Sequence, residues 1–216
     1  MESFTPTYRE LSFREEVANS ISHGLGLLLA IVAVPVLILA AMKAGSGHSL
    51  IGVSVFGGTM VLLYLASTLY HSMTHEEAKR LFRLFDHTAI FLLIAGTYTP
   101  FALGVLRGPW GWSLLAAVWT LAFIGITLKV RKRTRHSRIS IVLYVIMGWL
   151  AVVAVKPIVM LIPVPGIILI LAGGIAYTGG LAFFAAHRIR YNHFIWHLFV
   201  IAGTTCHFFA VLWYAA

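Results

Sequence analysis

Seven apolar segments, each close to the length of a membrane span, decide what this chain can fold into. They cover residues 24–42, 50–70, 88–106, 110–128, 139–155, 166–186 and 194–214. About 20 residues of α-helix cross roughly 30 Å of hydrocarbon, because each residue adds about 1.5 Å. The segments lack the strict alternation of apolar and polar residues that is typical of membrane β-strands. The sequence therefore predicts an all-α integral membrane protein, a bundle of seven transmembrane helices.

Composition leaves little of the chain for any other domain. Apolar residues make up 60% and charged residues 11% of the 216 positions, whereas soluble domains contain roughly 45–50% and 25%. A single cysteine, Cys206, excludes a disulfide scaffold. We expect two parts: a cytoplasmic N-terminal segment over residues 1–21 and the seven-helix transmembrane domain over residues 22–216.

The basic residues indicate how the helices are oriented in the membrane. The formal net charge is +9, but the basic residues are scattered between apolar runs, so nucleic acid is not an expected partner. Of sixteen Lys and Arg, thirteen lie in the N-terminal segment and the second, fourth and sixth loops. Basic loops stay in the cytoplasm, so we expect a cytoplasmic N-terminus and an outside C-terminus. The fourth loop, residues 129–138, is interpreted as a topology signal, with a lipid-headgroup or partner site as the alternative.

Polar residues gather at one end of four predicted helices. Such residues are costly at membrane depth, and they usually pair, bind a ligand or line a cavity. Those at the predicted cytoplasmic ends of their helices are Glu16, Asn19, His23, Ser67, His71, Asp86, His87, His193 and His197. Four helices thus bring carboxylates and imidazoles to one depth, as a metal site or a catalytic cavity requires.

Two histidines four residues apart in the last segment indicate a metal site. His193 and His197 share one helix face, and two imidazoles at this spacing can bind one ion. His71, at the same depth on the second helix, is the expected third ligand, and three imidazoles with one position left for water are typical of catalytic zinc. Copper, iron and nickel also bind neutral imidazole. Haem held by two imidazoles, and histidines that only bond lipid headgroups, are further alternatives.

Two neighbours of these histidines are candidate catalytic residues. Asp86 would act as general base on a water at the metal, and Ser67 would donate a hydrogen bond to the developing oxyanion. The alternatives are a helix cap for Asp86 and a bond from Ser67 to a carbonyl of its own helix. Glu16, Asn19 and His23 are expected to support the ligands rather than to bind the metal.

One further histidine lies deep in the predicted bundle. His207 follows His197 by ten residues, which places it near the middle of the membrane. We expect its imidazole to be hydrogen-bonded inside the bundle or to line a cavity, and direct metal ligation is the alternative.

Four blocks of sequence carry these polar residues in a specific order: EEVANSISHG, ASTLYHS, FDHTAIFLLIAGTYTPF and YNHFIWHLFVIAGTTCHF. Together they resemble the hemolysin III branch of the progestin and adipoQ receptor family, from about residue 15 to the end of the chain. The resemblance implies Zn²⁺ as the cofactor, with His71, His193 and His197 as its ligands. It also implies that Asp86 reaches the metal through water and that Ser67 lies beside it.

The same resemblance implies a function in a bacterial inner (plasma) membrane. The family is similar to the alkaline ceramidases, which implies hydrolysis of an amide or ester bond in a membrane lipid that enters from the inner leaflet. A role in membrane lipid homeostasis is implied as well. The alternatives are a lipid-responsive receptor or regulator in which zinc is structural, and a pore-forming hemolysin.

Overall fold

The chain is helical throughout the residues that the structure, a computed structural model, describes: 11–132, 138–186 and 188–215. Its helices in chain order are α1 (Phe13–Ala44), α2 (Gly47–Ser72), α3 (Glu76–Leu103), α4 (Pro109–Lys132), α5 (Arg138–Gly148), a 3₁₀ helix (Leu150–Ala154), α6 (Val155–Leu161), α7 (Val164–Ala185) and α8 (Asn192–Tyr214). The first ten residues of the predicted N-terminal segment and residues 133–137 of the basic fourth loop lie outside the described part of the chain.

Within the described residues, seven helical stretches are long and apolar enough to cross a membrane, which confirms the predicted class and count. The fifth stretch, residues 139–161, combines α5, the 3₁₀ helix and α6. Large apolar side chains cover the outside of the bundle, as a lipid-facing surface requires and a soluble surface avoids. Among those more than half exposed are Leu28, Val32, Leu39, Ile51, Phe123, Val159 and Ile175.

The first helix begins earlier than its apolar segment. Ser12 caps α1 through a capping box, in which its side chain accepts a bond from the Glu15 N–H and Glu15 bonds back to the Ser12 backbone. Residues 13–21 of the predicted N-terminal segment therefore lie in α1. Glu16, Asn19 and His23 follow one another at spacings of three and four residues, so they share one face of this helix.

Glu15 also joins the start of the first helix to the start of the last. One carboxylate oxygen accepts a bond from the Ser12 N–H at 3.0 Å, and the other accepts one from the Tyr191 N–H at 2.9 Å. The residue is only 2% exposed. Tyr191 has a left-handed backbone conformation (φ 57°) directly before α8. The Glu15 bond therefore holds the first turn of α8, with His193, next to α1.

Close helix packing joins α2 to α1 and to α3. A Cβ atom on Gly96 of α3 would overlap the Thr59 side chain of α2, and a Cβ on Gly26 of α1 would overlap the Tyr64 ring of α2. Small residues at such crossings let membrane helices approach closely. These two crossings pack α1 and α3 closely against α2.

The fifth span is broken near its middle, which the apolar pattern did not predict. The helix changes at Gly148 and Trp149 into a short 3₁₀ segment. The Tyr98 hydroxyl of α3 lies 2.8 Å from the Met147 carbonyl oxygen and accepts a bond from the Ala151 N–H at 3.0 Å. A membrane tolerates an interrupted helix only where the released backbone groups find new partners. Tyr98 supplies them here.

Candidate metal centre

Three histidines meet at the end of the bundle where α1 begins. His71 lies in the last turn of α2, and His193 and His197 lie in the first two turns of α8. One ring nitrogen from each lies within 4.8 Å of the other two. Their ring centroids are 4.9, 5.1 and 4.7 Å apart. The structure thus brings together the three ligands that the sequence predicts, and the cluster could hold a metal ion.

The ring nitrogens are arranged as a metal ligand set requires. Nε2 of His71 and Nε2 of His197 are buried and have no hydrogen-bond partner. Nδ1 of each ring is engaged instead: that of His71 lies 2.6 Å from Glu16 Oε2, and that of His197 lies 3.0 Å from Ser22 Oγ and 3.2 Å from the Asn19 carbonyl oxygen. A buried nitrogen without a partner destabilises the fold unless a ligand satisfies it. Imidazoles oriented through Nδ1 fit a metal bound at Nε2.

Glu16 links the cluster to a cation on α3. Its Oε2 accepts from His71 Nδ1, and its Oε1 accepts from Lys79 Nζ, both at 2.6 Å. The His71 side chain is fully buried, whereas that of Lys79 is 29% exposed. Since Nδ1 donates to the carboxylate, the lone pair of His71 lies on Nε2, which faces the cluster. Glu16 thus fixes the orientation and the tautomer of this ligand.

We expect Glu16→Gln to lower the affinity for Zn²⁺ by about tenfold to a hundredfold, the usual effect of losing a carboxylate behind a histidine ligand. The neutral amide holds the His71 ring less firmly and makes its Nε2 less basic. Competition with a fluorescent zinc chelator measures the affinity. Glu77→Gln is the matched control, because the Glu77 side chain is 79% exposed and pairs with Arg80 at 3.9 Å. Equal affinities for the two variants would contradict the role of Glu16.

His23 and Asn19 contact the cluster without joining it. The His23 ring stacks on the His197 ring, with centroids 3.5 Å apart and planes 8° from parallel. The Tyr64 ring also meets the His23 ring nearly edge-on, with centroids 5.1 Å apart. Asn19 is fully buried, and its carbonyl oxygen faces His197 Nδ1. Both residues therefore position His197.

Asp86 lies inside α3, so the alternative of a helix cap is wrong. The helix begins ten residues earlier, at Glu76, and His75 caps it. The Asp86 carboxylate is buried beside the Ser67 hydroxyl and within electrostatic range of His71 and Lys129. Ser67 donates to no carbonyl of its own helix, so the second alternative is wrong as well. The two residues form a polar pair next to the histidine cluster.

Lys129, the first residue of the predicted fourth loop, is a polar residue of this site. It is only 5% exposed and lies within electrostatic range of Asp86. The face of α4 that meets α3 is buried at spacings of three and four residues, and its members are Leu114, Val118, Ala122, Gly125 and Lys129. A Cβ on Gly125 would overlap the Phe91 ring of α3. This spacing continues the apolar face to Lys129 and is the signal that could have identified it.

An apolar cavity adjoins the histidine cluster. Its volume is about 360 Å³, and it lies mainly between α3, α5, α7 and α8. A much smaller pocket, of about 10 Å³, lies at the cluster itself and is lined by polar residues that include His23, Asp86, His87, His193 and His197. That volume is about enough for one water molecule. Both spaces share four lining residues, Leu63, Ile90, Trp196 and Val200, so they are separated by one layer of side chains.

His207 lines the apolar cavity and is hydrogen-bonded inside the bundle. It is 8% exposed, and its Nε2 lies 3.1 Å from the Ile170 carbonyl oxygen of α7. Both features agree with what the sequence predicts. His207 lies outside the group of three histidines that could share one ion, so the structure gives no support to direct ligation.

The fold and the histidine cluster together define a multi-pass membrane protein with a site that could bind a metal. The profile of the family described as "Haemolysin-III related" matches residues 11–208, so the chain belongs to this family and is a multi-pass bacterial membrane protein.

Curated relatives agree over most of the chain. Hemolysin-3 of Bacillus cereus is 49% identical over 201 residues, which are 93% of this chain and 92% of the relative. The Hemolysin-3 homolog of Bacillus subtilis (strain 168) is 45% identical over 203 residues, 94% and 95% of the two chains. The human monocyte to macrophage differentiation factor is 23% identical over 163 residues, 73% and 67% of the two chains. The last match supports the resemblance to the wider receptor family.

Proposed function

We propose that this protein is a zinc-dependent hydrolase that cleaves an amide or ester bond in a membrane lipid. The observation that carries the proposal is the group of three histidines, two of them buried, with unpartnered Nε2 atoms on the buried His71 and His197, beside the carboxylate of Asp86. Three imidazole ligands leave a position open for chemistry, unlike the closed set of four that is typical of structural zinc. The role in lipid homeostasis follows from this activity and belongs to the same proposal.

Each polar residue has a defined task in this reaction. A bound Zn²⁺ supplies a nucleophile from water at neutral pH and polarises the carbonyl group that is attacked. Asp86 accepts the proton of the attacking water and passes it to the leaving group. Ser67 donates its hydroxyl to the oxygen on which negative charge develops. Glu16 and the Asn19 carbonyl hold two of the ligands in place.

The apolar cavity suits the hydrocarbon chain of the substrate. It lies within the membrane-spanning part of the bundle, its lining is almost wholly apolar, and it ends one side-chain layer from the histidines. A lipid with its scissile bond at the metal would therefore bury its chain here. We propose that the lipid enters from the inner leaflet, because the charge pattern of the loops predicts that this end of the bundle faces the cytoplasm.

A lipid-responsive receptor with structural zinc is the second candidate function. A metal at the cluster would tie α2 to α8, since His71 lies on one helix and His193 and His197 lie on the other. A pore has less support, because a water-filled channel needs a polar lining and the large cavity is apolar. Turnover separates the hydrolase from both alternatives.

The test is metal-dependent turnover by the purified protein in lipid nanodiscs. A panel of lipid amides and lipid esters is incubated with the protein, and free fatty acid release is measured by mass spectrometry. We expect release from at least one lipid, loss of release after chelation, and recovery after Zn²⁺ is added back. A lipid that raises the melting temperature of the zinc-loaded protein, with no release from any member of the panel, would favour the receptor instead.

A further inference from the structure

The apolar cavity extends along much of the membrane-spanning part of the bundle. Its lining residues follow one face of α3 from Ile90 to Ala102 and one face of α7 from Ile167 to Leu181. The rise of a helix from residue 90 to residue 102 is about 18 Å. Ile90 also lines the small pocket at the histidine cluster. The cavity therefore has a near end beside the cluster and a far end about 18 Å away.

Two connections between helices cover the far end of the cavity. Leu106 lies in the connection between α3 and α4, and Ile162 lies in the connection between α6 and α7. Both side chains line the cavity and are buried, with exposed fractions of 5% and 3%. Leu114, in the second turn of α4, also lines the cavity and is 5% exposed. All three belong to one packed apolar core, so side chains close the far end.

Backbone contacts hold both covering residues in place. The Leu106 N–H donates to the Phe101 carbonyl at 2.9 Å, and the Leu106 carbonyl accepts from the Gly111 N–H at 3.1 Å. A Cβ atom on Gly166 would overlap the Ile162 side chain, so α7 packs directly against this residue. Packing of this kind resists the insertion of extra methylene groups. A chain that reaches the far end cannot extend further without displacing these residues.

The distance between the two ends corresponds to a definite length of hydrocarbon chain. An extended chain of single bonds gains roughly 1.2 Å per bond, so about 15 bonds cover the roughly 18 Å along α3. We infer that Leu106 and Ile162 limit the hydrocarbon chain in this cavity to about 16 carbons. The occupant rests on the proposed function, and the inference narrows its substrate class to lipids whose buried chain has about this length.

A mismatch of length in either direction weakens binding. A chain that is too short leaves a void at the far end, which costs about twofold to tenfold in affinity for each missing methylene. A chain that is too long must bend or displace packed side chains. Membrane and cavity are both apolar, so an added methylene gains affinity only where it fills space in the cavity. The affinity should therefore have a maximum at the matching length.

Binding of free fatty acids tests this length limit without any turnover. The probes are the even-numbered saturated fatty acids from decanoate to docosanoate. Each competes with a fluorescent fatty acid for the zinc-loaded protein in nanodiscs. We expect the tightest binding near palmitate, with the next shorter and the next longer acid about threefold to tenfold weaker.

Variants at the far end should move this maximum in opposite directions. Leu106→Ala removes three carbon atoms from the covering layer, so the maximum should move up by about two carbons. Ile162→Val, a smaller change, should move it in the same direction. Ala102→Leu adds bulk at this end and should move it down. Leu103→Ala is the matched control, because Leu103 is a buried leucine (7% exposed) outside the cavity lining, and its removal should leave the maximum unchanged.

The same maximum in Leu106→Ala and Ala102→Leu would overturn the inference. So would wild-type affinity that does not fall beyond stearate, or the absence of competition by any of the acids. In the first two cases the chain leaves the cavity sideways, between the fifth span and α7, where Val152 and Val159 line it and are each 61% exposed. A maximum near palmitate in a protein that releases no fatty acid from any lipid would contradict the proposed hydrolase and leave the length limit intact.

Discussion

Replacing His197 by Ala should abolish the stabilisation that Zn²⁺ gives to the protein. A ligand that binds only the folded state at a free concentration one hundred times its Kd stabilises that state by about 2.7 kcal/mol. For a chain of this size, that corresponds to roughly 5–11 °C in Tm. We expect this gain in wild-type protein when zinc replaces a chelator. For each of His71→Ala, His193→Ala and His197→Ala, the Tm with zinc should equal the Tm with chelator.

The comparison within each variant separates metal loss from packing loss. His197 is fully buried and stacks on His23, so its removal also leaves a cavity and lowers Tm in both buffers. Only the difference in Tm between zinc buffer and chelator buffer reports on metal binding by the histidine. His48→Ala is the control, because His48 lies on the same helix as His71 but about 34 Å away. A full zinc-dependent gain in any of the three ligand variants would contradict the site.

Asp86→Asn should lower lipid turnover by about 10² to 10⁴, the usual contribution of a general base, while zinc stays bound. Asparagine keeps the shape of the side chain but cannot accept the proton. The change removes a carboxylate close to Lys129, so we also expect a lower Tm. Turnover per correctly folded, zinc-loaded molecule is therefore the quantity to compare.

A substitution of Lys129 tests the interaction between Asp86 and Lys129 from the side of the lysine. In Lys129→Met, Asp86 keeps its carboxylate but loses a neighbouring positive charge. The turnover of Lys129→Met should lie between that of Asp86→Asn and that of wild type. Wild-type turnover in Asp86→Asn, at full zinc occupancy, would exclude Asp86 as the base.

The seven helices and the histidine cluster could be predicted because both depend on local spacing. Apolar runs of about 20 residues have one stable form in a membrane, and this fixed the class of fold. The spacing of four residues between His193 and His197 places both rings on one face in any α-helix. The number of spans and the direction of each predicted that His71 lies at the same membrane depth as His193 and His197.

The remaining features depend on contacts between distant parts of the chain. The break at Gly148 is tolerated because Tyr98 bonds its backbone, and no property of residues 139–155 alone reveals that partner. Lys129 lies in a run of basic residues, and its charge masked the buried face that it continues. The apolar cavity, which lies between several helices, has no counterpart in any single segment. The orientation of the bundle in the membrane stays a prediction from the basic loops.

X-ray absorption spectroscopy of purified protein tests the metal centre most directly. We predict about one zinc per chain, with three imidazole nitrogens at about 2.0–2.1 Å and one oxygen ligand that exchanges with solvent. The His193→Ala, His197→Ala double variant should contain almost no zinc. A closed set of four protein ligands would indicate a structural metal. Wild-type protein without stoichiometric metal, or full zinc retention in the double variant, would contradict a metal-dependent hydrolase at this site.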